Sequence, residues 1–272
     1  MYVFVLYCGT TFFDYGEMMR KYRNLFLLTS LLLTACMTSE VQVPEDFKYQ
    51  EVPTKNFLIA SWKKYKNPNS DFKVYIEGDG ASFDAYGRPT GDPTPRGDFM
   101  RNLAFSDPSP NVIYLARPCQ FVDDFSCNQR FWTGARFSPF VIESECEAIA
   151  ALTSKPVTLI GYSGGGMVAG LLSLFCPVVP TKKVITIAGN LDHLTWTRME
   201  RLTPLNESMN LADYKDQFAK VPQHHYVGSK DTVVPYNITM QTIPERSNVT
   251  LVTGATHNKG WEEIYPEIHK LK

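Results

Sequence analysis

The chain has no surplus of positive charge: 27 Lys and Arg stand against 28 Asp and Glu, a net charge of −1 over 272 residues. A nucleic-acid binder ordinarily carries a basic excess to meet phosphates, so no nucleic-acid partner is expected. No apolar run reaches the roughly 18 residues that a spanning helix needs, which argues against a polytopic membrane protein. No internal repeat is visible. No Cys/His grouping has metal-ligand spacing, and the Gly-rich segments lack a Walker Lys or a dinucleotide fingerprint, so neither a metal nor another cofactor is expected. The remaining composition, 44% hydrophobic and 20% charged, excludes a disordered, collagenous or coiled-coil chain.

The N-terminal segment reads as an address. Residues 19–35 are MRKYRNLFLLTSLLLTA, in which Arg20, Lys21 and Arg23 precede a short apolar stretch broken only by Thr29 and Ser30. That is the layout of a secretory signal. The end of that stretch with the residue after it, Leu33-Thr34-Ala35-Cys36, resembles the lipobox of bacterial lipoproteins, which are cleaved before the Cys and acylated on it. With Met37 rather than Asp after the Cys, the resemblance implies a lipid-anchored protein of the bacterial outer membrane, facing the periplasm. The first 18 residues carry Asp14 and Glu17 and no basic residue, which points to Met18 or Met19 rather than Met1 as the initiator. Residues 1–35 are therefore expected to be an upstream extension and signal, 36–54 a polar tether with Pro44 and Pro53, and 55–272 the folded domain.

Four cysteines follow Cys36. Their even number in an exported chain favours disulfides. Cys119 and Cys127 lie in one loop and are expected to pair. Cys146 and Cys176 fall on predicted helices, where a small buried side chain is the plainer reading and a disulfide the other.

Short apolar, β-branched runs predict strands at 57–61, 73–77, 111–116, 157–160, 183–188, 225–228 and 249–253. Helices are predicted at 139–152, 164–175 and 260–271. Such alternation implies a mostly parallel sheet with helices on both faces. Two long segments break the rhythm: 78–110, with one helix near 98–105, and 189–222, with one near 211–219. Insertions at strand C-termini build active-site rims in this architecture.

The chemistry sits at three strand ends. Residues 157–160 run into Gly161-Tyr162-Ser163-Gly164-Gly165, a Gly-x-Ser-x-Gly pattern between a buried strand and a Gly-rich helix start. Such a turn presents a strained Ser, and the helix N-terminus aims N–H groups at any anion forming beside it. Asp231 follows the strand at 225–228, and His257 follows the one at 249–253. Taken alone, Asp231 is a turn former and Ser163 a helix cap. The order Ser163, Asp231, His257, each at a strand's C-terminal end, is that of an α/β-hydrolase triad. Asp192 is the rival acid, and its neighbour His193 is a candidate lining residue. The remaining histidines, Phe131, Trp132, Trp196 and Trp261 read as packing or rim residues.

From about residue 57 onward the chain resembles an α/β-hydrolase-fold serine hydrolase, and more narrowly bacterial lipoprotein hydrolases carrying blocks such as YIEGDG, ARPCQF and GYSGGG, found here at 75–80, 116–121 and 161–166. The resemblance implies a single α/β-hydrolase domain. It also implies an oxyanion hole from the backbone N–H of Gly164 and of Asp79, with Gly80 as neighbouring candidate. Where the family often has His-Gly, this chain has Glu77-Gly78. The expected activity is hydrolysis of a small-molecule carboxylic ester through an acyl-enzyme. A peptidase or acyltransferase would use the same triad, and a non-catalytic envelope lipoprotein would keep only the fold.

Overall fold

The computed structural model describes residues 42–271 apart from residues 123 and 244. Cys36, the signal expected at residues 19–35 and the candidate initiators Met18 and Met19 lie outside the described residues. Among the described residues, eight strands form one sheet: β1 Lys48–Pro53, β2 Leu58–Tyr65, β3 Phe72–Ile76, β4 Asn111–Leu115, β5 Val157–Tyr162, β6 Thr181–Ile187, β7 Gln223–Gly228 and β8 Val249–Val252. Their spatial order is β1-β2-β4-β3-β5-β6-β7-β8. Strand β2 runs antiparallel to both its neighbours, and every pairing from β4 across to β8 is parallel. The sheet is the mostly parallel one that the sequence pattern implies.

Side-chain alternation along the strands divides the interior into two layers. Phe72, Val74 and Ile76 of β3, with Ile113, Leu115, Val157 and Leu159, join one apolar cluster with residues of α2 (Pro139–Leu152) and α3 (Gly164–Phe175). The intervening residues face α1 (Phe99–Phe105) and α7 (Tyr265–Lys270). Phe105 packs on Tyr114 with ring centroids 5.9 Å apart, and Lys73 Nζ donates to the carbonyls of Ile268 and His269 at 3.0 Å. Lys73 also meets the buried Asp107 carboxylate at 3.1 Å, so the charges on this face are paired.

Several elements depart from expectation. Residues 48–53, expected as part of the tether, form edge strand β1 against β2. Only Val52 of that strand is buried, so it carries no apolar alternation to read. Two seven-residue helices lie where the sequence pattern predicts none, α4 (His193–Met199) inside the 189–222 insertion and α6 (Tyr236–Thr242) between β7 and β8. The helix near 211–219 is a 3₁₀ turn, Leu211–Tyr214, running into the single turn α5 (Lys215–Phe218). The C-terminal helix starts with a 3₁₀ turn, Glu262–Ile264, ahead of α7. Both cysteine pairs are bridged: Cys119 to Cys127, and Cys146 on α2 to Cys176 just past α3.

Candidate active site

Ser163 stands between β5 and α3 at φ 52° and ψ −120°. A residue with a Cβ rarely adopts that region, and the strain persists only where the surroundings impose it. Here close packing imposes it. A Cβ on Gly161 would lie 2.1 Å from the Gly165 carbonyl oxygen, and one on Gly165 would lie 2.5 Å from the carbonyl oxygens of Ile76 and Glu77. Side chains at either position would lift α3 off the strand ends. The Ser163 backbone is further tied to β6, its N–H donating to the Ile187 carbonyl at 2.9 Å.

Asp231 follows β7, and both its oxygens are occupied. Oδ1 accepts the N–H groups of Val233 and Val234, each at 2.9 Å, and Oδ2 lies 2.9 Å from His257 Nδ1. With its carboxylate fully buried, Asp231 has one orientation and offers one lone-pair direction to the imidazole. His257 follows β8, and its Nε2 lies 3.0 Å from Ser163 Oγ. The structure thus brings Ser163, His257 and Asp231 into one continuous chain of hydrogen bonds. Such a chain can move a proton off Ser163 onto a histidine whose tautomer is set by the carboxylate behind it.

His257 is also held from behind. Its carbonyl accepts Trp261 Nε1–H at 3.0 Å and lies 3.0 Å from the Tyr162 hydroxyl, which sits 2.7 Å from Asn258 Oδ1. Burial, followed by the nearby carboxylates of Glu77 and Asp231, holds the Tyr162 phenol well above its ordinary pKa, so it remains a donor.

Asp192 has a different task. It caps α4, with Oδ1 accepting the Thr195 N–H at 3.1 Å and Asn210 Nδ2 at 3.0 Å. Burial pushes its carboxyl up, but the Thr195 and Asn210 hydrogen bonds outweigh that and leave it below the ordinary value. His193 is buried beside Phe137, ring centroids 6.1 Å apart, and lies away from the cavity lining.

The loop after β3 passes beside the Ser. A Cβ on Gly78 would sit 3.3 Å from Ser163 Cβ. The backbone N–H groups of Asp79 and Gly164 have no acceptor among the described residues. Glu77 occupies the position where the resemblance leads one to look for His. It is buried, its Oε1 accepting the Gly78 N–H at 2.9 Å and its Oε2 the Tyr114 hydroxyl at 2.6 Å. Burial pushes its carboxyl up.

A cavity of about 620 Å³ opens over Ser163 and His257, walled by Asp79, Phe83, Phe99, Met100, Arg136, Tyr162, Trp196 and Val233. Phe99, Met100, Trp196 and Val233 make much of that wall apolar, as small-molecule sites generally are. Trp132 instead packs under the rim, donating to the Thr90 carbonyl at 3.1 Å, and Trp261 serves behind His257. Among the described residues, no group of three or more His, Cys, Asp or Glu is placed to hold a metal ion. Sequence reasoning gave no role to Tyr162, Asn258 or Arg136. The first occupies a variable place in the Ser motif, and all three acquire their contacts only through tertiary folding.

No protein-family model matches the chain, and no curated protein matches it in sequence. Solved structures do. An esterase of Pyrococcus furiosus is 17% identical, over 82% of this chain and 89% of that one, with a TM-score of 0.56. The esterase domain of a Rhodothermus marinus protein is 14% identical over 82% and 95%, TM-score 0.55. An α/β serine hydrolase without a lid from Xanthomonas campestris is 11% identical over 85% and 93%, TM-score 0.51. These likenesses show the α/β-hydrolase fold.

Proposed function

We propose that the protein is a serine hydrolase that cleaves a carboxylic ester through an acyl-enzyme. In this reading Ser163 Oγ attacks the ester carbonyl as His257 Nε2 takes its proton, while Asp231 holds Nδ1–H and stabilises the imidazolium. The Asp79 and Gly164 N–H groups meet the oxyanion. Collapse of the tetrahedral intermediate returns the proton from His257 to the departing alcohol and leaves the acyl group on Ser163. Water, deprotonated by the same histidine, then releases the acid and restores the serine.

The observation that carries the reading is the pair of contacts, 2.9 Å from Asp231 to His257 and 3.0 Å from His257 to Ser163, beside a cavity with apolar walls. Esterases among the similar structures support it at the level of fold. Turnover of p-nitrophenyl esters of short and long acyl chains, run beside a peptide anilide, tests it. Ester cleavage is expected, falling on the order of 10⁴-fold or more in Ser163→Ala. Cleavage of the anilide alone would reassign the protein as a peptidase, and transfer to an added alcohol in preference to water as an acyltransferase. No turnover of any kind would favour a binding role.

The reading extends to location, on the lipobox-like run ending at Cys36. An acylated Cys36 tethers the hydrolase to the envelope, since several acyl chains anchor stably where one is marginal. Cys36→Ser is expected to move the protein into the soluble fraction, and unchanged fractionation would contradict it.

A further inference from the structure

Two of the sequence blocks, residues 75–80 and 116–121, meet beside the cleft in contacts that the triad itself does not use. The Gly78–Asp79 peptide is planar and trans, so the direction of its C=O fixes the opposite direction of its N–H. That C=O accepts a hydrogen bond from Gln120 Nε2 at 3.0 Å, and Gln120 Oε1 in turn accepts the Arg117 N–H at 3.1 Å. Gln120 is buried, 1% exposed, so it has no solvent to turn toward. The Asp79 side chain is gripped as well: Oδ2 lies 2.7 Å from Arg136 Nη1 and Oδ1 lies 3.5 Å from Arg117 Nη1.

Neither guanidinium is free to follow a moving carboxylate. Arg136 Nε donates to the Thr133 carbonyl at 2.7 Å. Arg117 Nε meets the buried Glu145 at 2.8 Å, and its Nη2 donates to the Arg136 carbonyl. The clamped carboxylate also lies against the start of α3, because a Cβ on Gly164 would fall 1.9 Å from Asp79 Oδ1. Position and direction of the Asp79 N–H are therefore set before any substrate arrives, which is the condition for an oxyanion donor to act without reorganisation.

We propose that Gln120 and the Arg136–Asp79 ion pair are positioning residues that preset the Asp79 N–H toward the oxyanion. The proposal rests on the serine-hydrolase reading above. Gln120→Leu removes the donor to the Gly78 carbonyl at similar volume, and Asp79→Asn removes the charge that the two arginines hold while keeping the backbone N–H. A donor used only in the transition state affects kcat and not ground-state binding. Gln120→Leu is expected to lower kcat about 10- to 100-fold with KM within about 3-fold, below the 10²–10³ of losing a donor outright. Asp79→Asn should act in the same direction. Arg136→Lys, which keeps a cation beside Asp79, should retain more activity than Arg136→Gln. A trifluoromethyl ketone inhibitor, whose hemiketal oxygen occupies the oxyanion position, should weaken in parallel with kcat/KM.

A purely structural role would lower the melting temperature and leave kcat and inhibitor affinity of the folded enzyme intact. That result in Gln120→Leu and Asp79→Asn, with Ser163→Ala inactive, overturns the proposal and spares the hydrolase reading. If Gln120→Leu does not fold, Asp79→Asn decides alone. Full activity in Ser163→Ala would instead remove the hydrolase reading and this proposal with it.

Discussion

Gly164→Ala strains both proposed oxyanion donors in one substitution. The added Cβ would lie 1.9, 2.5 and 2.9 Å from Oδ1, Cγ and Oδ2 of Asp79, all inside the distance real Cβ atoms keep. The obstacle is not a loose side chain, since Arg136 and Arg117 hold that carboxylate at 2.7 and 3.5 Å. A shift of roughly 1 Å is needed, either of the Asp79 loop or of the first turn of α3. Each of these carries one of the two proposed oxyanion donors, so whichever yields, a donor moves off its target. Loss of one donor costs about 2.7–4 kcal/mol in the transition state, or 10²–10³ in kcat.

Fold stability should fall as well, but by less than the loss of activity. Overpacking the contact between Asp79 and α3 costs about 1–3 kcal/mol, of which the restriction alanine places on the unfolded chain offsets about 0.4–1 kcal/mol. For a domain of this size that means a melting temperature lowered by up to about 10 °C, with the enzyme still folded at the temperature of the assay. Steady-state ester hydrolysis and a thermal melt on the same sample measure both quantities. Gly91→Ala, in the same long loop with nothing within 4 Å of its added Cβ, should leave kcat unchanged and raise the melting temperature by no more than about 4 °C. A Gly164→Ala enzyme with full kcat would refute the reasoning.

Asp231→Asn should keep the fold and lower kcat by roughly 10⁴. Asp192→Asn should leave kcat within a few-fold, because Asn caps a helix nearly as well as Asp; the reverse ranking would transfer the acid's role to Asp192. Replacing Cys146 and Cys176 together by Ala opens a loop of 30 positions and should cost about 3.5–4 kcal/mol in denaturant unfolding, against about 2.5 for the Cys119–Cys127 ring; equal losses would contradict the chain-entropy account. Burial holds the His225 imidazole down at about 3, so it stays neutral in the fold while the unfolded chain takes up a proton below about 6.5. The stability advantage of wild type over His225→Gln should then be full above pH 6.5 and shrink by about 1.4 kcal/mol per unit as the pH falls toward 5, and a constant advantage would contradict it.

The parallel core of the fold was legible because its strands are buried on both faces and read as continuous apolar runs. Helices α2 and α3 begin and end where the sequence predicts, one opening on Pro139 and the other on the glycines after Ser163. What escaped is what carries little hydrophobic pattern. Strand β1 is an exposed edge between Pro44 and Pro53, held by backbone pairing with β2, and the short helices α4 and α6 are stabilised by the surfaces they cover. Asp192 did carry a local signal, an Asp three residues before Thr195, that reads as a cap once α4 is recognised. The meeting of Ser163, Asp231 and His257 follows from strand order, whereas Tyr162, Gln120 and Arg136 owe their contacts to loops whose paths no periodicity describes. Glu77, where the resemblance leads one to look for His, accepts the Gly78 N–H from the next residue, a contact that carries no signal in the sequence.

The most direct test of the account is covalent capture of the serine. The protein is treated with a fluorophosphonate and read by intact mass and peptide mapping, beside Ser163→Ala and His257→Ala. The account predicts a single adduct, mapped to Ser163, absent from Ser163→Ala and formed at least 10³-fold more slowly in His257→Ala. No adduct on folded wild-type protein, or an adduct on another residue at equal rate in Ser163→Ala, would contradict it.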